Sequence, residues 1–505
     1  MVVLDFLLVL GLTIIFLILL LLSKNRKTKV YNPPPGPKGF PIIGNFHQFG
    51  PPKTNFAEFY TLGKTYGPIL KLRLMKQSMI VIQSAKLAKE AMQTNDKNTC
   101  DRPVTTGRKK VSYNLLDVAF GPYNEYVREM KKILSAHFSS SKNMQLFANI
   151  RREEVTRLMQ KVSSLSSASK LINLNELIIN YASANASRFS FGKRYNDEEV
   201  LGNKYHRLLH DAETMFTAFF YNDYFPIVGN LLDKLTGKSS RLEKIFKELD
   251  AFYEQIINDH LGDNKLNSEH EYVVDLLLRL KNDTSFPFKL TMEHIKAIFL
   301  NLFAAGANSS TATIIWVILE LVKNPISMKK VQEELRNEAQ KKGTTCIEEI
   351  DLPNLEYFRA VVKETLRLHP PAPLLIPREV VHKCVIGGYN ILPKTKIFIN
   401  AWAIGRDPEC WEDPEKFIPE RFVGSSGDVF KALECFAMIP FGRGRRMCPA
   451  YSLGVANLEL ALANLLYSFN WELPTGVNKQ DVDNKTNPGI TMLKKNTLYL
   501  VANKF

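Results

Sequence analysis

One cysteine, Cys448, closes the stretch Pro440-Phe441-Gly442-Arg443-Gly444-Arg445-Arg446-Met447-Cys448-Pro449-Ala450. Glycines and arginines precede the thiol, and a phenylalanine stands near the head of the run. Such a loop can hold one thiolate against a flat macrocycle such as haem. Glycines let the backbone, here at Gly442 and Gly444, pass close to a planar group, and backbone N–H groups temper the sulfur's charge. Phe441 is suited to covering the sulfur from water, and Arg446 to meeting a propionate. A thiolate axial ligand pushes electron density onto iron and favours O–O cleavage. Without these neighbours the plainer reading, a buried structural cysteine, would hold.

Three further segments are relevant. Glu364 and Arg367 stand three apart on a predicted helix, where opposite charges share a face. Downstream come Ala401-Trp402-Ala403-Ile404-Gly405-Arg406-Asp407-Pro408, Trp411 and then Pro419-Glu420-Arg421-Phe422. In this order the segments resemble the cytochrome P450 family, and among its members the plant A-type microsomal enzymes, from about Pro33 to the C-terminus. The family's haem loop reads F-x-x-G-x-R-x-C-x-G. Phe441, Gly444, Arg446 and Cys448 match it, and Ala450 replaces the last glycine, a one-methyl change expected to be tolerated. The resemblance implies haem b held by Cys448, an ion-pair network of Glu364, Arg367 and Arg421, and basic propionate contacts at Arg378 and Arg446. It also implies electrons from NADPH through a separate NADPH-cytochrome P450 reductase, because the chain carries no flavin or dinucleotide fingerprint.

The segment Ala304-Ala305-Gly306-Ala307-Asn308-Ser309-Ser310-Thr311 interrupts a long apolar helix pattern running from Thr291 to Asn324-Pro325. Glycine and hydroxyl residues there are expected to loosen the backbone ladder and open a groove. In the family this groove receives dioxygen, and its pattern A/G-G-x-D/E-T supplies an acid and a threonine that relay protons. Here Asn308 replaces the acid and Ser309 the threonine. Asparagine does not titrate near neutral pH and can only orient water. Serine keeps the hydroxyl but loses the methyl that restricts its rotamer. Ala305 and Ser309 share a helix face, whereas Thr311 points away. Two readings follow. Protons run through Ser309 and ordered water, giving ordinary monooxygenation, or the reaction needs little proton delivery, as in haem-thiolate dehydratases, isomerases and oxidative cyclases. A haem sensor or carrier without turnover is a third class, and the oxygen groove and apolar pocket argue against it.

Around Tyr123–Lys131 the family's W-x-x-x-R motif is altered, with Val127 for tryptophan and Lys131 for arginine. A lysine is a point charge rather than a fork. Haem retention then leans on Lys131, Arg128, Arg378 and Arg446. By resemblance the substrate pocket draws on the Val104–Phe120 loop, the Phe216–Phe225 segment, Phe303, Ala305, Ala307, Leu374, Ile376 and Ile490. Apolar walls favour a small lipophilic metabolite, with terpenoid, alkaloid, phenylpropanoid and oxime all open. The aromatic residues of 216–225 either line an access channel or form core or membrane-facing surface.

The elements that must position these residues are read from patterning. The fold is expected to be mainly α with a smaller β region around one central helix. Strand patterns occur at 68–72, 79–82, 385–391 and 396–399, and further helices over Arg241–Asp259, Val274–Lys281 and Met328–Lys342. No linker or repeat divides the chain after its N-terminal region, so residues 46–505 form one catalytic domain. Six irregularly spaced cysteines argue against a disulfide framework or zinc site. Residues 1–23 form an anchor: Phe6 to Leu22 is almost unbroken apolar sequence, preceded by Asp5 and followed by Lys24, Arg26, Lys27 and Lys29. That charge order leaves the amino terminus in the lumen of the endoplasmic reticulum and the catalytic domain in the cytosol, on a single-pass anchor. Residues 24–45 are a basic and proline-rich linker, stiff through Pro33-Pro34-Pro35. The net charge of +15 suits an anionic membrane surface and an acidic flavoprotein, and no basic–aromatic interleaving supports nucleic acid.

Deleting Met1 to Leu22 is expected to move the protein toward the soluble fraction with haem incorporation intact. A truncated protein still fully resistant to carbonate and salt extraction would contradict a single anchor.

Overall fold

A helix apolar on nearly every side has to lie inside a domain, and the segment after Thr291 does. The computed structural model describes residues 32–49, 56–195, 199–225, 227–262, 271–424 and 436–505. The expected anchor and the basic half of the linker fall outside them. In chain order the helices that build the site are α1 (Glu125–Ser139), α2 (Leu174–Phe191), α3 (Glu199–Thr217), α4 (Lys238–Gly262), α5 (Met292–Lys323), α6 (Glu356–Leu368) and α7 (Tyr451–Ser468). The central helix is α5. Thr291 caps it: its side chain accepts from the His294 N–H, and its own N–H donates back to His294 Nδ1. The helix stops at Asn324, before the proline that starts the next one. By length and composition α5 is apolar enough to span a bilayer, yet 67% of its most apolar window is buried in the domain. It is a core helix.

The core runs along α5. One cluster joins its C-terminal half to α2, α6 and α7, where Trp316 stacks on His369 at 4.2 Å and donates to the Met492 carbonyl. A second joins its N-terminal half to α3 and α4. Small residues on α2 let it approach closely. A Cβ at Gly306 would come within 3.3 Å of the Ala186 Cβ. The mid-helix glycine therefore serves packing, and α5 continues unbroken through it.

A four-stranded sheet flanks the helices in the order β1 (Ile69–Leu74), β2 (Gln77–Ile82), β4 (Lys396–Ile399), β3 (Arg378–Glu379). β1 and β2 are antiparallel with Ile69 opposite Ile82, and β2 runs parallel to β4. The strand expected at 385–391 is instead a hairpin, Cys384–Ile386 paired with Tyr389–Ile391. Gly387 and Gly388 turn it with φ of +57° and +78°, a region open mainly to glycine. The described part of the linker is docked on this sheet. The Pro35 carbonyl accepts from Lys71 N, and Arg73 gathers the carbonyls of Phe40, Pro41 and Ile42.

Behind the core, Glu364 and Arg367 on α6 form a fully buried bidentate pair at 2.6 and 2.7 Å. The same guanidinium donates to the carbonyls of Gly405, Pro414 and Lys416. Glu364 also accepts from Ile418 N, and Arg421 Nε lies 3.4 Å from it. One side chain thus ties two chain segments, at Gly405 and at Pro414–Lys416, to α6.

Arg367→Lys keeps the charge but cannot reach five acceptors with one ammonium. Breaking a buried pair in this way costs about 3–5 kcal/mol. A lower melting temperature and loss of haem-loaded protein are expected, measured by thermal denaturation beside the haem-to-protein absorbance ratio.

Candidate active site

The Cys448 loop owes its shape to backbone bonds and two glycines. Cys448 N–H donates to the Phe441 carbonyl at 3.0 Å, Gly442 N–H to Ile439, and Met447 N–H to Gly444. Gly442 and Gly444 take φ of +66° and +68°. A Cβ on Gly442 would meet nothing nearer than 3.9 Å, whereas one on Gly444 would lie 2.3 Å from the Met92 carbonyl oxygen. Burial pushes the Cys448 thiol pKa up, while the Ala450 N–H and the Lys131 charge act the other way. Ala450 itself has φ −110° and ψ 27°, which any residue adopts. The loop therefore has no conformational need for the family's last glycine.

Four cations surround the loop, Arg102, Arg378 and Arg446 buried and Lys131 half-buried. Lys131 donates to the Arg445 and Met447 carbonyls at 2.6 and 2.7 Å, on either side of Arg446. Arg446 donates to Cys100, Val118 and Gly121. Arg378 donates to Asp96 and to the Arg443 carbonyl, and Asp96 in turn accepts from Arg445 N–H. Arg102 donates to the Ala119, Ile376 and Pro377 carbonyls. Burial, followed by repulsion from neighbouring cations, lowers the Lys131 pKa to about 8 and that of Arg102 well below the usual guanidinium range. Burial, partly offset by attraction to nearby acids, sets Arg446 at about 10. Asp96 and Asp117 are the carboxylates buried among them. A planar group carrying two carboxylates, as haem does, fits this excess of positive charge.

Arg128 is not brought to the site. It lies on the exposed face of α1, pairing with Glu125 and Glu129, about 100° around the helix from buried Val127. Val127, in place of the family's tryptophan, packs beneath Gly121, whose carbonyl holds Arg446.

On α5, Ala305 and Gly306 are exposed partway along a largely buried helix, and Leu302, Ala304, Asn308 and Ser309 beside them are half-buried. The small residues Ala305 and Gly306 leave the groove open, without any break in the ladder. Ser309 Oγ donates to the Ala305 carbonyl at 2.6 Å, leaving its lone pairs as acceptors. Thr311 is buried and bonds back to Ala307. Asn308 donates through Nδ2 to Glu213 Oε2 on α3. Phe303 and Ala307 lie on the opposite face from the groove. Phe303 is wholly buried among Phe191, Phe252 and Tyr253, and Ala307 sits in the core beside α2. Helix periodicity alone separates 303 and 307 from 305 and 309, so the sequence expectation for these two pocket residues placed them on the wrong face.

A family-level comparison matches residues 34–501 to Cytochrome P450. The chain belongs to this family. The P450 fold also appears in two zebra fish cytochrome P450 structures, with abiraterone and with progesterone. They are 21% identical, have TM-scores of 0.73 and 0.75, and each covers 89% of this chain and 99% of its own. Among curated plant relatives, 6,7,8-trihydroxycoumarin synthase of Pastinaca sativa is 42% identical over 96% of both chains. The 5-OH-xanthotoxin synthase of Ammi majus is 43% identical over 92% of both. Cytochrome P450 71B37 of Arabidopsis thaliana is 41% identical over 99% of this chain and 98% of its own. P450 enzymes carry haem ligated by a cysteine thiolate.

Of the remaining pocket residues in this P450, Ile376 and Ile490 are half-buried against the cluster that holds Leu302 and Phe303. Leu374 packs instead on the β1–β2 side. Between them Leu375 adopts φ +50° and brings its Cδ1 close to Gly442. This strained backbone is what splits neighbouring leucine and isoleucine side chains between two walls. Phe216, Phe219 and Tyr224 are structural partners: Phe216 stacks on Phe120 at 4.4 Å, and Phe219 and Tyr224 contact Phe46. Sequence reasoning missed Arg102, Asp96 and Glu213. None of them sits in a local motif or periodic pattern that would mark it.

Gly442→Ala is expected to cost about 1–2 kcal/mol, the strain of positive φ alone. Gly444→Ala adds a backbone clash and is expected to abolish haem binding. The yield of carbon monoxide-reactive haem per protein should rank wild type, Gly442→Ala, Gly444→Ala.

Proposed function

We propose that this P450 is a membrane-anchored monooxygenase that hydroxylates a small lipophilic specialised metabolite, using dioxygen and electrons from NADPH through a separate reductase. The observation that carries the reading is the pairing of a Cys448 loop ringed by cations with an α5 groove bearing a hydroxyl. Cys448 would hold the haem iron through Sγ, and Arg102, Arg378, Arg446 and Lys131 would face its propionates. The bound haem-thiolate supplies dioxygen activation.

The chain's own groups have separate roles. Lys131 and Asp96 fix the loop that presents the sulfur. Ser309 offers a hydroxyl to the groove, and Ile376 and Ile490, packed against the same cluster as Leu302, would keep its surroundings apolar, favouring a lipophile and limiting water. The dehydratase or isomerase reading rested on a groove without a titratable group, and Glu213 lies one hydrogen bond from Asn308. The relatives' names point to hydroxylated coumarins as their products, so coumarins head the substrate classes for this chain.

Attachment to the endoplasmic reticulum membrane is supported by two apolar surfaces beside each other. Ile227 and Leu235 are 95% and 75% exposed, and Phe40 and Ile42 are exposed as well. The contacts of Phe46 with Phe219 and Tyr224 join the two segments. For an acidic reductase, exposed Lys132 lies next to loop-holding Lys131 on α1.

Cys448→Ser is expected to abolish the absorbance band that thiolate-ligated ferrous haem gives with carbon monoxide, because a neutral hydroxyl is a poor iron ligand. A panel of coumarins and other lipophiles that shift the haem spectrum then identifies substrates. Turnover under labelled dioxygen should place one labelled atom in the product. Full-rate product formation without oxygen would exclude monooxygenation and leave the haem-thiolate assignment standing.

A further inference from the structure

We propose that Glu213, on α3, is the proton-holding carboxyl of the oxygen groove, and that Asn308 positions it there instead of substituting for an acid. This rests on the monooxygenase reading above. Asn308 and Ser309 are consecutive on α5, and Asn308 Nδ2 donates to Glu213 Oε2 where α3 crosses α5. The acid that the family places on the central helix has moved to the neighbouring helix, and an amide holds it against the same turn. Ser309 Oγ spends its proton on the Ala305 carbonyl, so it is free to accept. A half-buried carboxyl can pass its proton through solvent toward that hydroxyl and recharge from bulk water.

The groups packed around Glu213 leave it without a strong counter-charge. From the short Thr106–Val111 helix, Arg108 is committed to the Phe216 carbonyl and Lys110 to Glu243. From α4, Arg241 pairs with Asp211, and Tyr253 is buried against Phe303. On α3 itself Arg207 and His210 are exposed. From α5 comes the Asn308 amide. Burial, partly offset by that amide, raises the Glu213 pKa to about 7. The carboxyl is therefore protonated below about pH 7 and ionised above it, in the range where a general acid is useful.

The proton balance can be tested without knowing the substrate. With reductase, NADPH and dioxygen alone, two outcomes compete: O2 + NADPH + H⁺ → H2O2 + NADP⁺, or O2 + 2 NADPH + 2 H⁺ → 2 H2O + 2 NADP⁺. Efficient proton delivery favours water. The experiment compares haem-loaded wild type, Glu213→Gln and Asn308→Leu for hydrogen peroxide formed per NADPH across the neutral range. Alongside it, infrared spectroscopy follows the carboxyl C=O band in the same pH series, with no turnover. In Glu213→Gln the new amide oxygen still accepts from Asn308, so the helix contact stays while the proton is removed.

The expected result is a peroxide share in wild type that rises as pH passes about 7. In Glu213→Gln the share is severalfold higher at low pH and flat across the range, general acids contributing about 10²–10⁴ in rate. Asn308→Leu should raise the share as well, because nothing then holds the carboxyl against α5, and shift the infrared midpoint upward, because the amide that favours the carboxylate is gone. A merely structural contact predicts that Glu213→Gln leaves both the share and its pH profile unchanged, and that result overturns the proposal. So does the absence of a carboxyl band titrating near neutrality that Glu213→Gln removes. Failure of NADPH oxidation in wild type with an intact carbon monoxide spectrum would instead overturn the monooxygenase reading on which the proposal stands.

Discussion

The positive charge enclosed around the Cys448 loop is the constraint on which the rest of this P450 depends. Lys131, Arg102, Arg378 and Arg446 are drawn from α1, the loop before the Thr106–Val111 helix, β3 and the cysteine loop itself. Each is anchored on backbone carbonyls, so a helix, a strand and two loops converge where no single one would place a cation. Burying them together is unfavourable, as the lowered pKa values of Arg102, Lys131 and Arg446 show. A dianionic planar group would relieve that cost, and its binding would then be coupled to formation of the loop.

The departures from the family pattern become intelligible through this geometry. Lys131 lacks a guanidinium fork, but two adjacent loop carbonyls need only a point donor with several protons. Ala450 is tolerated because its φ is ordinary. Val127 gives up an indole N–H and gains close packing under Gly121. Asn308 loses a titratable group and acquires one by hydrogen bond from α3. In each case a neighbouring element absorbs the change, so a motif letter read alone overstates its consequence.

The two faces of α5 differ sharply in burial. The face bearing Phe303 and Ala307 packs against α2 and α4, and the face bearing Ala305 and Ser309 lies open. Residues one step apart in the chain thus belong to the core or to the groove, and helix rotation decides which. The Glu364–Arg367 pair does for the rear of the domain what Lys131 does for the front, holding loops by their carbonyls. Both devices use long cationic side chains as cross-links in a domain where the described cysteines are all free.

Sequence alone determined whatever is encoded locally. The central helix was legible to within a residue at both ends, since Thr291 is a start signal and Pro325 a stop signal in their own right. The i,i+3 spacing of Glu364 and Arg367 and the glycine-rich cysteine loop were legible for the same reason. So was the strand pattern of β1, β2 and β4, apart from a hairpin whose double glycine was passed over. Tertiary structure alone decided the partners separated by long stretches of chain: Arg102 with Ile376, Asp96 with Arg378, and Glu213 with Asn308. It also decided that Arg128 faces solvent and that Phe303 faces the core. A lone charge or ring carries no periodic signal of its own, and its role is set by whichever element folds against it.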